Sequence, residues 1–220
     1  MASFSNRDKI KFLKGIFCIL AVIGAIQFII ITIIAMFFYP GGYLVFEYTF
    51  SYLGTTVAEN GAINSISRLL FVLACTLAAI LLNPFWVVMP TLFLQKKSIK
   101  YLSLLGSFCG IVSSPFLYLL AIIPGDIDFV GHIIATNIFF LLFAAAIIIY
   151  SIAILLNTEY ENVYGWVGMA FSILIILYPL VFRNIYPIRS LMQRIVVYGF
   201  VLWIVYQSTR VWKSVSPKIN

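Results

Sequence analysis

Charge is what this sequence has least of. Charged residues fill 10% of its 220 positions, whereas soluble domains carry about 25%, and 63% are hydrophobic. Seven acids and fourteen bases are too few to coat a water-facing globule of this length. The shortage excludes an ordinary soluble enzyme, a disordered tail protein and a nucleic-acid binder. There is one histidine, and there is no phosphate-binding loop, Gly-x-Ser-x-Gly, His-Glu-x-x-His or carbonyl-filter signature. The three cysteines, Cys18, Cys75 and Cys109, lie inside apolar runs without metal or Cys-x-x-Cys spacing and read as small core residues. No Asp, Glu or Lys stands in the middle of an apolar run. That argues against a proton-driven pump, whose relay needs intramembrane ionisable groups.

What the chain does have is long apolar stretches. A helical span takes about 20 apolar residues. We read six, at about 12–38, 67–94, 101–123, 130–156, 164–182 and 191–212. The expected fold class is all-α: a polytopic integral membrane bundle of six transmembrane helices, one domain over 1–220. The first apolar run, from Ile16 to Phe38, exceeds the roughly 7–15 residues of a secretory signal and reads as a retained signal-anchor helix. Asn83-Pro84 and Pro90 interrupt the second span, Pro115 the third and Pro179 the fifth. Such breaks are tolerable where neighbouring helices satisfy the freed carbonyls.

The loops set an orientation. An even span number groups the N-terminus, the 2–3 loop and the C-terminus on one side. Those segments hold ten bases (Arg7, Lys9, Lys11, Lys14, Lys96, Lys97, Lys100, Arg210, Lys213 and Lys218) against Asp8, Glu159 and Glu161. The other side holds Arg68, Arg183, Arg189 and Arg194 against Glu47, Glu59, Asp126 and Asp128. The positive-inside rule then places both termini in the cytoplasm, with the plasma or cell membrane as the location. Four bases against four acids on the outer side point to mutual pairing. We expect Arg68, Arg183 or Arg189 to reach a carboxylate among Glu47, Asp126 and Asp128, because partly buried unpaired charges are costly. Contact of the same guanidinium forks with lipid phosphate is the alternative.

Three outer segments carry polar chemistry. Residues 39–66 form the longest loop, in which Phe46, Tyr48, Phe50 and Tyr52 alternate as in a strand while Tyr43, Phe46, Glu47 and Phe50 fit one helix face. A lone strand would leave edge groups unpaired at a membrane surface, so a short interfacial or re-entrant helix is favoured. It reads either as an aromatic belt or as a lid over a pocket. Asn60-Gly61 makes a turn, and Asn64 or Ser65 is a plausible N-cap for the helix bearing Arg68. The run from Pro124 to His132 contains Asp126 and Asp128, either of which can cap the fourth span. Asp128 and His132 are four apart and share a helix face, which permits a carboxylate-oriented imidazole acting as base or proton relay. A capped helix with a separately bonded histidine is the plainer reading. One His beside two Asp lacks the ligand richness of a zinc site, so no metal and no cofactor is expected.

The order of these features resembles an uncharacterised six-span membrane family, domain of unknown function 998, and more distantly the Frag–DRAM–Sfk group of lipid-associated membrane proteins. The matching features are Ser51-Tyr52-Leu53-Gly54 after the first span, Asn64 ahead of the second, and Pro124-Gly125-Asp126 before His132. Tyr52 stands where the family favours Asp, and Glu47 is the candidate substitute. The resemblance implies a six-span fold and no specific activity. The leading expectation is a protein that binds or remodels a lipid headgroup at the outer face. Asp128 and His132 would do the chemistry, and Glu47, Ser51, Asn64, Arg68, Asp126, Arg183 and Arg189 would line the site. Its expected partners are membrane lipids, with a further membrane protein possible in principle and nucleic acid excluded. The rivals are a small-solute or ion pathway lined by the Asn83-Pro84 break, and a non-catalytic accessory subunit.

Overall fold

A computed structural model describes residues Asn6–Val215; Lys218, and the side chains of Arg7 and Asp8, lie outside the described part. Among the described residues all regular structure is helical, apart from one isolated antiparallel bridge between Val57 and Ile63. The helices are α1 (Asn6–Phe37), α2 (Ser65–Leu81), α3 (Asn83–Val88), α4 (Lys97–Ile122), α5 (Phe129–Leu155), α6 (Asn162–Leu180) and α7 (Ile188–Val215). Six helical stretches are long and apolar enough to cross a membrane: Lys9–Phe37, Ser65–Leu92, Lys97–Ile122, Phe129–Leu155, Asn162–Leu180 and Ile188–Lys213. Every end lies within four residues of the expected spans. The outward faces carry exposed Ile, Leu and Phe, which suits a bundle whose solvent is hydrocarbon.

The second span is built in pieces because of its prolines. Pro84 has no N–H to continue the ladder of α2, so the chain restarts as α3 with proline in its first turn, followed by a 3-10 turn at Met89–Leu92. Asn83 mends the join. Its amide donates to the Ala79 carbonyl at 2.7 Å and its oxygen accepts from Ser114 of α4 at 3.0 Å. The restart turns Phe85 and Trp86 into the middle of the bundle, where their rings meet Phe143, Tyr150 and Trp203. Gly110 of α4 makes room for them, since a Cβ there would stand 2.2 Å from the indole of Trp86. Ser107 donates to the Trp86 carbonyl, which leaves Tyr150 to donate to Ser107 at 2.5 Å. The break at Asn83-Pro84 therefore fills the centre of the bundle with rings. Pro115 and Pro179, by contrast, are carried inside continuous helices.

In section the spans follow chain order around a ring. α1 packs on α2, α3 and α7, α2 on α4, α4 on α5, and α5 on α6, while α6 touches α7 more sparingly. One end of the bundle, the basic end, carries Lys96, Lys97, Lys100 and Arg210. There Arg210 lies over the Tyr160 and Tyr164 rings and pairs with Glu161 at 3.7 Å. The opposite, aromatic end carries the loop after α1, the turn before α5 and the segment between α6 and α7.

Candidate functional site

The aromatic loop is neither a strand nor a long helix. Tyr39-Pro40-Gly41-Gly42 turns the chain out of α1, with both glycines at positive φ (80° and 90°), a region that side chains disfavour. Tyr43 and Tyr48 pack edge to face, and Tyr48 stacks on Tyr52 with 4.7 Å between centroids. A five-residue 3-10 turn, Phe50–Gly54, follows and carries Ser51. The short helix of this loop is thus a 3-10 turn, preceded by a turn at 44–48 and held by its neighbours. Arg194 of α7 does much of the holding. It is only 7% exposed, donates to the Tyr48 carbonyl at 2.8 Å and to the Tyr43 hydroxyl at 3.1 Å, and lies over the Phe50 ring. Burial pushes the Tyr43 phenol above its ordinary value, against the lowering pull of the Arg194 charge. Tyr43 stays a donor and bonds the Thr49 carbonyl at 2.8 Å.

Three further ties fix the segment around Ser51. Gln193 of α7 accepts the Phe50 N–H at 2.6 Å. Asn64, fully buried, donates to the carbonyls of Leu53 (3.2 Å) and Thr55 (3.0 Å). Asp126 accepts the Thr56 hydroxyl at 2.5 Å, the Thr56 N–H at 2.9 Å and the Val57 N–H at 3.1 Å. Burial raises the Asp126 carboxyl, but these donors outweigh it and hold the group below its ordinary value.

The turn before α5 then places the histidine. The Asp128 carboxylate accepts the Gly131 N–H at 2.9 Å and caps α5. His132, one turn on and 5% exposed, directs Nδ1 to the Ile123 carbonyl (2.9 Å) and Nε2 to the Ser51 hydroxyl (3.0 Å). A carbonyl only accepts, so Nδ1 carries the proton. In the uncharged ring Nε2 then holds the lone pair, and Ser51 donates to it. The expected Asp128–His132 unit does not form. Its carboxylate is spent on the helix N-terminus, and the imidazole is oriented by a carbonyl in its place.

Ser51 and His132 line a cavity of about 350 Å³ at the aromatic end. Asp126, Glu59, Arg183 and Arg189 share its wall with neutral polar groups from Thr49, Tyr52, Thr55, Asn184 and Gln193, while Phe129, Ile133 and Tyr178 supply the apolar part. Arg183 donates to Asn137 Oδ1 at 2.6 Å. Arg189 donates to the Tyr52 hydroxyl at 3.2 Å, and its Nε is buried with no partner.

Five of the nine expected site residues therefore come together: Ser51, Asp126, His132, Arg183 and Arg189. The other four do not. Glu47 is exposed on the loop outside the cavity, so it does not replace the carboxylate missing at Tyr52. Asn64 makes no cap bond and is a buried staple. Arg68 is half-buried on α2 with its Nε unpartnered, and Asp128 is the α5 cap. The expected ion pairs are also absent. Among the described residues only Arg210–Glu161 qualifies, at the other end of the bundle. The acids were free in composition but not in space: Asp126 and Asp128 already serve backbone N–H groups. Sequence reasoning missed Tyr52, Glu59 and Gln193. The signal for Tyr52 was its place in the Ser51–Gly54 motif; Gln193, buried on α7, sent none.

Comparison with family models, curated proteins and solved structures finds no match to this chain. Its site speaks through its own geometry.

Proposed function

We infer that this chain is a multi-pass membrane protein, both termini cytoplasmic, whose aromatic end holds the anionic headgroup of a membrane lipid. The observation that carries the reading is the pair of guanidinium groups, Arg183 and Arg189, in a cavity wall where neither has a carboxylate within ion-pair distance. Their partners are a side-chain amide and a phenol, and a phosphate offers a guanidinium what neither supplies, an opposite charge and a bidentate fit. The apolar wall formed by Phe129 and Ile133 suits the glycerol and upper acyl carbons. The cytoplasmic placement of both termini rests on the ten bases that the sequence carries in its two terminal segments and in the loop between spans 2 and 3, and the cell membrane is the proposed location. The resemblance to domain of unknown function 998 bears on the six-span fold and adds no activity.

Binding of dioctanoyl phosphatidate and of dioctanoylglycerol to the purified protein in detergent micelles tests it. Each guanidinium–phosphate contact is worth about 1.5–3 kcal/mol. Arg183→Gln and Arg189→Gln should therefore each weaken phosphatidate binding about tenfold to a hundredfold. Dioctanoylglycerol should bind weakly to all forms. Equal affinity for the two lipids, or full affinity in the double variant, overturns the reading.

A further inference from the structure

We propose that Ser51 and His132 are the nucleophile and general base of a site that hydrolyses a carboxylic ester of the phosphate-bearing lipid held in that cavity; the substrate class rests on the headgroup reading above, the dyad does not. A serine nucleophile needs a base within hydrogen-bond reach and a third group that orients the base. Here Nε2 of His132 is 3.0 Å from Ser51 Oγ, and the Ile123 carbonyl, 2.9 Å from Nδ1, sets the tautomer that leaves Nε2 free to accept. Both residues line the cavity that carries Arg183 and Arg189.

The segment that carries Ser51 is held by side chains from three other parts of the chain. Bonds from Gln193, Asn64 and Asp126, contributed by three separate parts of the chain, converge on residues 50–57. They hold the serine against an imidazole that lies 81 residues away in sequence. Such over-determined positioning is what a productive attack geometry needs.

The chemistry balances without a cofactor. Ser51 Oγ bonds to the ester carbonyl carbon as His132 Nε2 takes its proton, and the carbonyl π pair moves onto oxygen. Arg183 and Arg189, engaged by the phosphate, hold the ester in place for that attack. The oxyanion collapses, the carbon–oxygen bond to the alcohol breaks, and the departing oxygen takes the proton from Nε2. Water then attacks the acyl-serine, giving a proton to Nε2 that returns to Ser51. The sum is ester plus water to carboxylic acid plus alcohol.

The test uses the full chain in micelles. An alkyl fluorophosphonate without a headgroup should modify Ser51, located by peptide mass spectrometry, and dioctanoyl phosphatidate should release octanoate. Ser51→Ala should abolish both, and His132→Gln should slow both by about a hundredfold or more while phosphatidate binding is kept. Retained binding shows that a variant is folded, and the site of modification in the unaltered protein decides the matter even where a variant is not. An unmodified Ser51 and no octanoate, in protein that binds phosphatidate, overturns the dyad and leaves the headgroup reading intact. Modification at the full rate in His132→Gln overturns the role of His132. Modification of Ser51 together with octanoate released as fast from dioctanoylglycerol as from dioctanoyl phosphatidate supports the dyad and overturns the headgroup reading.

Discussion

Replacing Asn64 by leucine and by aspartate separates its structural role from a ligand-binding one. Its side chain is fully buried, with Nδ2 on the Leu53 and Thr55 carbonyls and Oδ1 buried without a partner. Leucine keeps the volume and strands the Thr55 carbonyl, at about 1–3 kcal/mol, while the Leu53 carbonyl keeps the Ser67 hydroxyl at 3.4 Å. It also removes the orphaned Oδ1, which burdens the native protein by a similar amount. One loss against one gain leaves Asn64→Leu within about 1 kcal/mol of the native protein. Aspartate is nearly isosteric but sets a buried, unpaired carboxylate against those carbonyl oxygens, a defect worth about 3–5 kcal/mol. Equilibrium unfolding in mixed micelles, followed by tryptophan fluorescence at pH 7, gives both values. The order is what matters: aspartate must be worse than leucine. If Asn64→Asp is tolerated as well as Asn64→Leu, or if neither moves the transition, the staple does not hold the loop.

Asp128→Ala should lower stability by about 1 kcal/mol, the worth of an N-cap, while phosphatidate binding and Ser51 modification persist; loss of either with stability unchanged would restore the Asp128–His132 unit. The Asp126 carboxyl sits below its ordinary value, so its tie to Thr56 and Val57 is fully present above about pH 4 and is lost as pH falls through the lowered value. Amide protection at Thr56 and Val57, taken relative to the intrinsic exchange rate at each pH, should fall in that acidic window and, in Asp126→Asn, at neutral pH; pH-independent protection would refute the latch. A tag inserted at Asn60 should be reached by a membrane-impermeant label in intact cells, and tags at either terminus should not, because the ten basic-end charges set the orientation. Labelled termini would reverse it.

Particular residues show how far one dimension reaches. A carboxylate cap for α5 was readable because a cap is a local bond, three residues long; the sequence left Asp126 and Asp128 both open, and the structure uses Asp128. His132 as a site residue was readable from its rarity and its place at a helix entry, but its partner was not. The four-residue spacing to Asp128 made a carboxylate–imidazole pair look natural, and capping took that carboxylate first. The zero charge sum at the aromatic end suggested ion pairs for a similar reason. Composition counts charges without recording which of them already serve backbone N–H groups.

The six apolar stretches, their ends and the crowding of polar residues beyond them were determined by the sequence alone. Hydropathy and length are properties of contiguous residues, and a helix satisfies its backbone within the segment. Tertiary structure alone decided the site, because its bonds join residues that no local period relates. Thr56 meets Asp126 across 70 positions, Ser51 meets His132 across 81, and Phe50 meets Gln193 across 143. Those meetings depend on the order of helices around the bundle, which side-chain packing sets: the α3 restart drives Trp86 into the centre, and Gly110 leaves the space that receives it.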